Sequence, residues 1–544
     1  MQVKNLEHKK WEVGAIPIVE SVLDKLGFSC IFREFIKNER YVNALEVLIK
    51  NLLISPSALY RIPEWVSSHR PRSMIEYELK DDVIGRALDK LFSCDRATLQ
   101  TKLTLKTVQA YNIDTSKIHN DSTTIKFYGA YKRGSGKAVK LLRGHSKDHR
   151  PDLKQLVYNL SITEDGAIPV HFKCHDGNCT DDTIHVETWL NLRGILGVSD
   201  FLYVADSKLC TSNNMRKIDR EGGRFVTIVP DTRRETKDFA SSCHESEVRW
   251  LPLTRRPSTR KKGAYDVYQV AEGFYQMSEG FRLFWYRSSE KRHRDAESRK
   301  ERIELALGKL NELDTTRRRG PKSEDSLLKA ANKVLTRYNV EQWIDLEVRT
   351  RETEQFKKTT RGKRSPEAMY RRVIKKQPYL VVSKNYANIA QSESIDGIFP
   401  LTTNTKLNAK EALLAYKYQP YIEKRFSYLK SDYDVSPVFL KKTERIEALM
   451  FVCYMADLVA AIVQRQLRKA MKVNGIQALQ TLPEQRYSET PTWEQIQRLF
   501  ANHAKYELTK SKKLMATFWD ELNETQRQIL ELLEIPIDEY EAIE

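Results

Sequence analysis

KIHNDSTTIKF, residues 117–127, is rich in β-branched residues and reads as a strand, yet it carries an aspartate, Asp121, near its centre. Downstream, LVYNLSI alternates cleanly, with Leu156, Tyr158, Leu160 and Ile162 on one face. AIPVHFKC alternates too and groups Ile168, Val170, Phe172 and Cys174. The three runs predict an antiparallel meander, half buried. A helix is expected over 181–196. FLYVAD (201–206) is almost continuously apolar, as suits a strand buried on both faces, and it ends in Asp206. SNNMRKI then reads as a helix and RFVTIV as another buried strand.

The resulting order is three strands, helix, strand, helix, strand. A meander joined to parallel strands by crossover helices is the α/β layout of a ribonuclease H-like core, a mixed five-stranded sheet with helices. Around it, residues 1–112 read as a helical N-terminal domain, with VNALEVLIKNLLI at helical spacing. SPSALYRIPEWVSSH offers a turn and a second short helix. Helix, turn, helix in a basic chain fits DNA-end binding, and a plain packing domain fits equally well. Residues 231–400 form a large α+β insertion. In it VRWLPL, YDVYQV and FRLFWY read as strands, and 288–336 as charged helices broken at RRRGPK. The core is therefore expected in two pieces, 113–230 and 401–475. Residues 476–544 are expected to be a helical C-terminal region, with Thr492 and Gln495 spaced to cap WEQIQRLFANHAKY.

The chain has 544 residues, enough for two to four domains, and its 91 Lys and Arg against 73 Asp and Glu give a formal charge of +18. That balance points to a polyanionic partner, nucleic acid first, although a merely soluble basic protein has the same charge. Seven scattered cysteines make no disulfide framework and suggest a reducing compartment. The opening MQVKNLEHKKWEV has no apolar stretch of signal-peptide length. ALMFVCYMADLVAAIV (448–463) is short for a membrane span and contains Asp457, so a buried core helix is expected. The expected setting is cytoplasmic, with no membrane partner.

Asp121 and Asp206 fall where the predicted sheet would expose them, Asp206 at the carboxyl end of a buried strand, where open α/β sheets place their sites. Asp206 alone reads either as a helix N-cap for TSNNMRKI or as a metal ligand. A third acid, Glu423, stands among aromatic and basic neighbours in YKYQPYIEKRFSYLK (416–430). Three hard oxygen ligands suit Mg²⁺, with Mn²⁺ able to substitute. Two such ions roughly 3.5–4 Å apart can activate water and stabilise the leaving oxygen in phosphodiester cleavage. On a helix Tyr416, Gln419, Glu423 and Lys430 fall within one narrow face, a stripe suited to holding a metal and gripping the adjoining phosphate. Pro420 either bends that helix or opens a new one.

The spacing resembles the Tyr-x2-Arg-x3-Glu-x6-Lys signature of DDE transposases from bacterial insertion sequences, in the large group that includes the insertion-sequence-four type. Tyr416, Glu423 and Lys430 fit, and Gln419 stands where the signature has arginine. HNDSTTIKFYG and YVADSKLCTSNN are similar to the first and second catalytic strands of that family. GHSKDHRPDLKQ (144–155) and DGIFPLTTN (396–404) resemble hallmarks of a long-chained branch. The resemblance implies a ribonuclease H-like fold with an insertion between the second aspartate and the glutamate. It implies that Asp121, Asp206 and Glu423 bind two Mg²⁺ and that water frees a 3′-hydroxyl at the element end, which then attacks target DNA. It also implies that Tyr416 and Lys430 contact the terminal phosphate, and that two chains join as a homodimer on the terminal inverted repeats. Lys147, His149, Arg150 and Lys154 could track the DNA backbone, or form a solvated loop. Trp285 or Tyr286 could hold a flipped base, or serve as strand core. A nuclease without strand transfer, and a DNA-binding descendant without catalysis, remain alternatives.

Two further patterns are discounted. His171, Cys174, His175 and Cys179 have zinc-like spacing, but Cys174 sits on the apolar face of a predicted strand and no second paired cluster follows. GSGKA (134–138) lacks the first glycine and the Ser or Thr of a P-loop.

Overall fold

The strand Lys117–Phe127 (β1) lies at the centre of a mixed sheet in the computed structural model. On one side Lys154–Thr163 (β2) pairs with it antiparallel, with Asp121 opposite Leu160, and Pro169–His175 (β3) pairs antiparallel with β2. On the other side Leu202–Ala205 (β4) runs parallel to β1, and Arg224–Ile228 (β5) parallel to β4. The helices Asp181–Leu196 (α1) and Ser212–Arg220 (α2) make the two crossovers. These five strands thus lie in the order β3-β2-β1-β4-β5. The structure describes residues 6–69, 71, 79–129, 131, 136–144, 152–245, 248–258, 263–315, 323–359, 369–432, 440–511 and 513–541. They form two compact units, one of Met1–Thr227, Thr403–Lys406 and Glu411–Glu544, the other of Ile228–Thr402 and Leu407–Lys410.

The meander was expected to be half buried, but β2 is buried on both faces along nearly its whole length. The alternation misled because the polar face is satisfied internally rather than by water. Asn120 Nδ2 donates to Asn159 Oδ1 at 3.0 Å, Leu160 O at 2.9 Å and Ser161 Oγ at 2.9 Å, and Thr188 of α1 donates to Asn159. A connected buried network of this kind avoids the desolvation cost of each polar group.

Three helices follow the sheet in the first unit: Ala409–Tyr416 (α3), Pro420–Ser427 (α4) and Thr443–Val473 (α5). The 31-residue α5 carries the apolar run around Asp457. By length and composition it could cross a membrane, yet 94% of its apolar window is buried within the fold. Tyr454 stacks on Phe172 of β3 with centroids 4.7 Å apart, and Phe451 meets the same ring edge-on. The N-terminal helices Glu39–Ile54 and Asp81–Ser93 pack on α5 as well, and Arg445 at its start forks onto Asp89 at 2.7 and 2.8 Å.

Both chain ends depart from an all-helical reading. Leu6–Glu12 is a strand, paired antiparallel with Ala504–Lys510, which pairs in turn with Lys513–Trp519. The C-terminal region is therefore a β-hairpin between the helices Trp493–Phe500 and Glu524–Leu532. The three strand segments are short, and their third partner lies almost five hundred residues away in sequence, so no local pattern announces the pairing. The capping box at Thr492 and Gln495 is formed.

In the second unit, Ile398–Thr403, Arg282–Ser288, Tyr265–Ala271 and Trp250–Pro257 are hydrogen-bonded neighbours in that order. The helices Ser289–Thr315 and Glu324–Tyr338 pack together around Ala306, Leu310, Ala331 and Leu335. From them extends a two-stranded ribbon, Ile344–Lys358 against Tyr370–Lys384. Trp285 and Tyr286 are buried: Trp285 lies flat on Phe239 at 3.8 Å and Tyr286 on Phe399 at 5.4 Å, so both take the strand-core role.

Candidate active site

Asp121 and Asp206 project from adjacent parallel strands. The last register pair between β1 and β4 is His119 with Val204, and each aspartate lies two residues beyond it. Asp206 keeps an extended backbone (φ −70°, ψ −176°), so both carboxylates leave the same face of neighbouring strands, which are spaced about 4.8 Å apart. Both are half-buried. Asp121 Oδ1 accepts from the Ser122 amide at 2.7 Å. Asp206 Oδ1 accepts from the Lys208 amide at 3.1 Å and so caps the single turn Ser207–Leu209, while Thr211 caps α2 itself. The cap reading of Asp206 thus holds for that turn and not for α2.

Beside Asp206 lies a buried histidine that no sequence pattern announces. His185 on α1 is buried, with Nε2 3.3 Å from Asp206 Oδ1 and Nδ1 3.2 Å from the Tyr203 phenol. Burial, then the charges of Asp206 and Asp121, hold that phenol well above its ordinary pKa. A histidine in the middle of a helix gives no periodic signal of such a role.

The segment carrying Glu423 is not one helix. Pro420 opens α4 at its first position, Gln419 is the residue before it, and α3 ends at Tyr416. The second of the two proline readings is the one adopted, because a ring at N1 sacrifices no intrahelical hydrogen bond. Beyond α4, residues 428–432 widen into a π-helical turn that carries Lys430. The four signature residues therefore do not share one regular helical face. Glu423 is exposed and Lys430 half-buried.

Gln419 is engaged with β1: its Oε1 meets His119 Nδ1 at 3.3 Å, and its Nε2 donates to Asn120 O at 3.4 Å. The amide ties the start of α4 to the strand that bears Asp121. Burial holds the His119 imidazole neutral, pushed down to about 3, against the opposing effect of the Gln419 hydrogen bond. Tyr418 lies tilted against His119 at 4.9 Å and stacks on Tyr421 at 4.2 Å.

Arg425 was also not singled out from the sequence. It is buried, donating to Ala167 O at 3.1 Å, Asp457 Oδ1 at 3.2 Å, Gln464 Oε1 at 3.1 Å and Gly166 O at 3.4 Å. This bolts α4, which carries Glu423 two residues earlier, to the β2–β3 turn and to α5. The Asp457 carboxyl is pushed up to about 6, burial outweighing the nearby guanidinium.

All three acids act electrostatically on Tyr416. Its phenol is held far above the ordinary value, first by burial and then by the charges of Asp206, Asp121 and Glu423. Chain segments distant in sequence thus bring three carboxylates within electrostatic reach of one hydroxyl. They are not gathered into a closed ligand set, since among the described residues no three His, Cys, Asp or Glu side chains form a metal-sized cluster. In chemistry the donors fit a hard divalent cation, being all carboxylate oxygen. Lys154, at the start of β2, donates to Tyr131 O at 2.6 Å. Lys147, His149 and Arg150 lie outside the described residues. Cys174, from the discounted zinc-like run, is buried in the apolar core.

No protein-family model matches the chain, and no curated protein matches it. Among solved structures it is similar to a piggyBac transposase synaptic complex with hairpin DNA, at 11% identity and a TM-score of 0.28. That alignment covers 46% of this chain and 52% of the other, so the match spans about half the length of that transposase. A likeness this slight carries no argument about fold or activity.

Proposed function

We propose that this chain is a DDE-type DNA transposase with a ribonuclease H-like core, cutting DNA at the ends of an insertion sequence and joining them to target DNA. The observation that carries the reading is the register that sets Asp121 and Asp206 at one level of adjacent parallel strands, with the start of the helix that bears Glu423 tied to the same strand through Gln419. The β3-β2-β1-β4-β5 order, with the aspartates on adjacent parallel strands, supports it.

On this reading Asp121, Asp206 and Glu423 would hold two divalent cations, Mg²⁺ or Mn²⁺, which supply water activation and stabilisation of the leaving oxygen. The chain's own residues then position the DNA. Tyr416, protonated throughout the physiological range, donates a hydrogen bond to a phosphate oxygen, and Lys430 adds a positive charge on the same segment. Gln419, being neutral and occupied by β1, holds α4 in place rather than gripping phosphate. Arg425 anchors the helix that carries Glu423, and His185 lies beside Asp206. The partners are the terminal inverted repeats and target DNA, two chains acting as a homodimer in the cytoplasm.

The test is cleavage of duplex DNA carrying the gene's flanking sequences, with Mg²⁺, Mn²⁺ or Ca²⁺. Cutting at the repeat boundary is expected with Mg²⁺ or Mn²⁺ and should vanish in Asp121→Ala and Glu423→Gln while end binding survives. Cutting that persists in Glu423→Gln would falsify the ligand assignment. Because the three acids form no closed cluster, a DNA-binding protein without catalysis is the second reading. Tight binding with no cutting under any condition would favour it.

A further inference from the structure

The ribbon Ile344–Lys358/Tyr370–Lys384 is two strands of 15 residues, roughly 50 Å long at the usual rise per residue. Directly paired residues share a face, so the register divides its side chains into two sets. Near the base, Leu346, Leu380 and Val382 pack on the helix pair. Further out on that same face two cations are paired with acids, Lys376 with Glu352 at 3.2 Å and Arg372 with Glu354, and Lys358 lies at the tip.

The opposite face is different. From residue 349 outward it presents Arg349, Arg351, Lys357, Arg371 and Lys375, interspersed with Thr353, Gln355 and Gln377, and no acid. Among the described residues, of these cations only Arg349 has an acidic neighbour in an ion pair, Glu347 at the base of the ribbon, at 2.8 Å. Arg351 lies over the Tyr379 ring at 5.6 Å. Lys357 and Arg371 are direct cross-strand partners and both are exposed. Like charges placed opposite one another destabilise a sheet pair. A ribbon that pairs its cations with acids along one face and stacks cations without acids on the other is complementary to a polyanion lying along the second face.

We infer that this cationic face binds duplex DNA, as a contact separate from the carboxylate site. A two-stranded antiparallel ribbon has the cross-section that the major groove of B-form DNA admits. Amides and hydroxyls among the cations match a surface that meets both phosphates and base edges. The inference deepens the transposase reading by giving the second unit its own hold on DNA, and it rests on that reading only for the choice of DNA as the polyanion.

The experiment uses the full chain and a labelled 30-base-pair duplex of arbitrary sequence, with affinity measured by fluorescence anisotropy across a salt series. Each phosphate neutralised contributes about 0.9 to the slope of log affinity against log salt. Lys357→Gln/Arg371→Gln/Lys375→Gln should therefore lower the magnitude of that slope by roughly 2 to 3. Glu352→Gln/Lys376→Gln, on the ion-paired face, should leave it unchanged and so controls for damage to the ribbon. Hydrogen exchange of residues 344–358 in each variant confirms that the strands stay paired. An unchanged slope in the triple variant overturns the inference and leaves the carboxylate-site reading untouched. An equal loss in both variants also overturns it. Failure of the unsubstituted protein to bind any duplex at low salt would sink both readings, whereas loss of cleavage in Glu423→Gln with normal binding bears on the carboxylates alone.

Discussion

Replacing Arg425 with methionine removes the guanidinium that offsets Asp457 while keeping an unbranched apolar side chain. Two effects follow, and they separate by pH. Arg425 makes hydrogen bonds to Ala167 O, Gly166 O and Gln464 in addition to its contact with Asp457. Losing three of about 0.5–1.5 kcal/mol each costs roughly 1.5–4.5 kcal/mol at any pH. The second effect is electrostatic. The Asp457 carboxyl already stands at about 6 in the folded protein, above its ordinary value of 3.8. Its ionised form is therefore disfavoured by folding, and this penalty is relieved as pH falls through 6 toward 3.8. Without Arg425 that carboxyl rises further and takes up a proton at pH 7, which costs about 1.4 kcal/mol more than in the parent protein. At pH 5 it is already protonated in the parent, so this increment disappears. Amide hydrogen exchange of residues 420–432, corrected for intrinsic rates, reads both effects. Opening should be about tenfold more favoured by the substitution at pH 7 than at pH 5, on top of a pH-independent increase. Arg425→Met/Asp457→Leu should abolish the difference, because no buried carboxyl is left to titrate. An Arg425→Met effect of the same size at both pH values would refute the argument that this guanidinium offsets the Asp457 charge.

Two other outcomes are expected. Gln419→Ala removes both hydrogen bonds between the start of α4 and β1, so exchange of residues 417–423 should quicken by roughly tenfold, as about 1–2 kcal/mol of tether is lost; unchanged protection would mean that the ring contact of Tyr418 with His119 suffices. Glu423→Gln should lower the ionisation pKa of the Tyr416 phenol, because a charge that opposes ionisation is gone, and ultraviolet difference titration against a Tyr416→Phe background reads the change. A phenol that titrates identically in both would place Glu423 out of reach of the other acids.

The aspartate half of the site was legible because it follows from strand pattern alone. β-branched residues around Asp121 and an apolar run ending in Asp206 place two acids at the same level of neighbouring parallel strands, and that needs only the register of one strand pair. The glutamate half was legible as residue types and not as geometry. Its spacing suggested one helical face, whereas Pro420 restarts the helix and the turn at 428–432 widens it. His185, Tyr203 and Arg425 were illegible for a common reason: each acts through a partner distant in sequence, and a polar residue in a helix or strand looks alike whether it faces water or a buried charge.

What the sequence by itself determined is the order of the local structures in the core sheet and a few elements around it. The central strand, the two crossovers, the apolar helix around Asp457 and the cap at Thr492 are each written in a few neighbouring residues, since backbone propensity and hydrophobic period are short-range properties. Tertiary structure alone decided which polar groups are buried together. The Asn120–Asn159–Thr188 network made a wholly buried strand out of one that alternates like a half-exposed one. The pairing of Leu6–Glu12 with Ala504–Lys510 turned an expected helical tail into a sheet. The approach of α3 and α4 to β1 brought three carboxylates to bear on one phenol. In each case the deciding free energy comes from desolvation and pairing between segments far apart along the chain, and these terms have no value until the fold has brought the segments together.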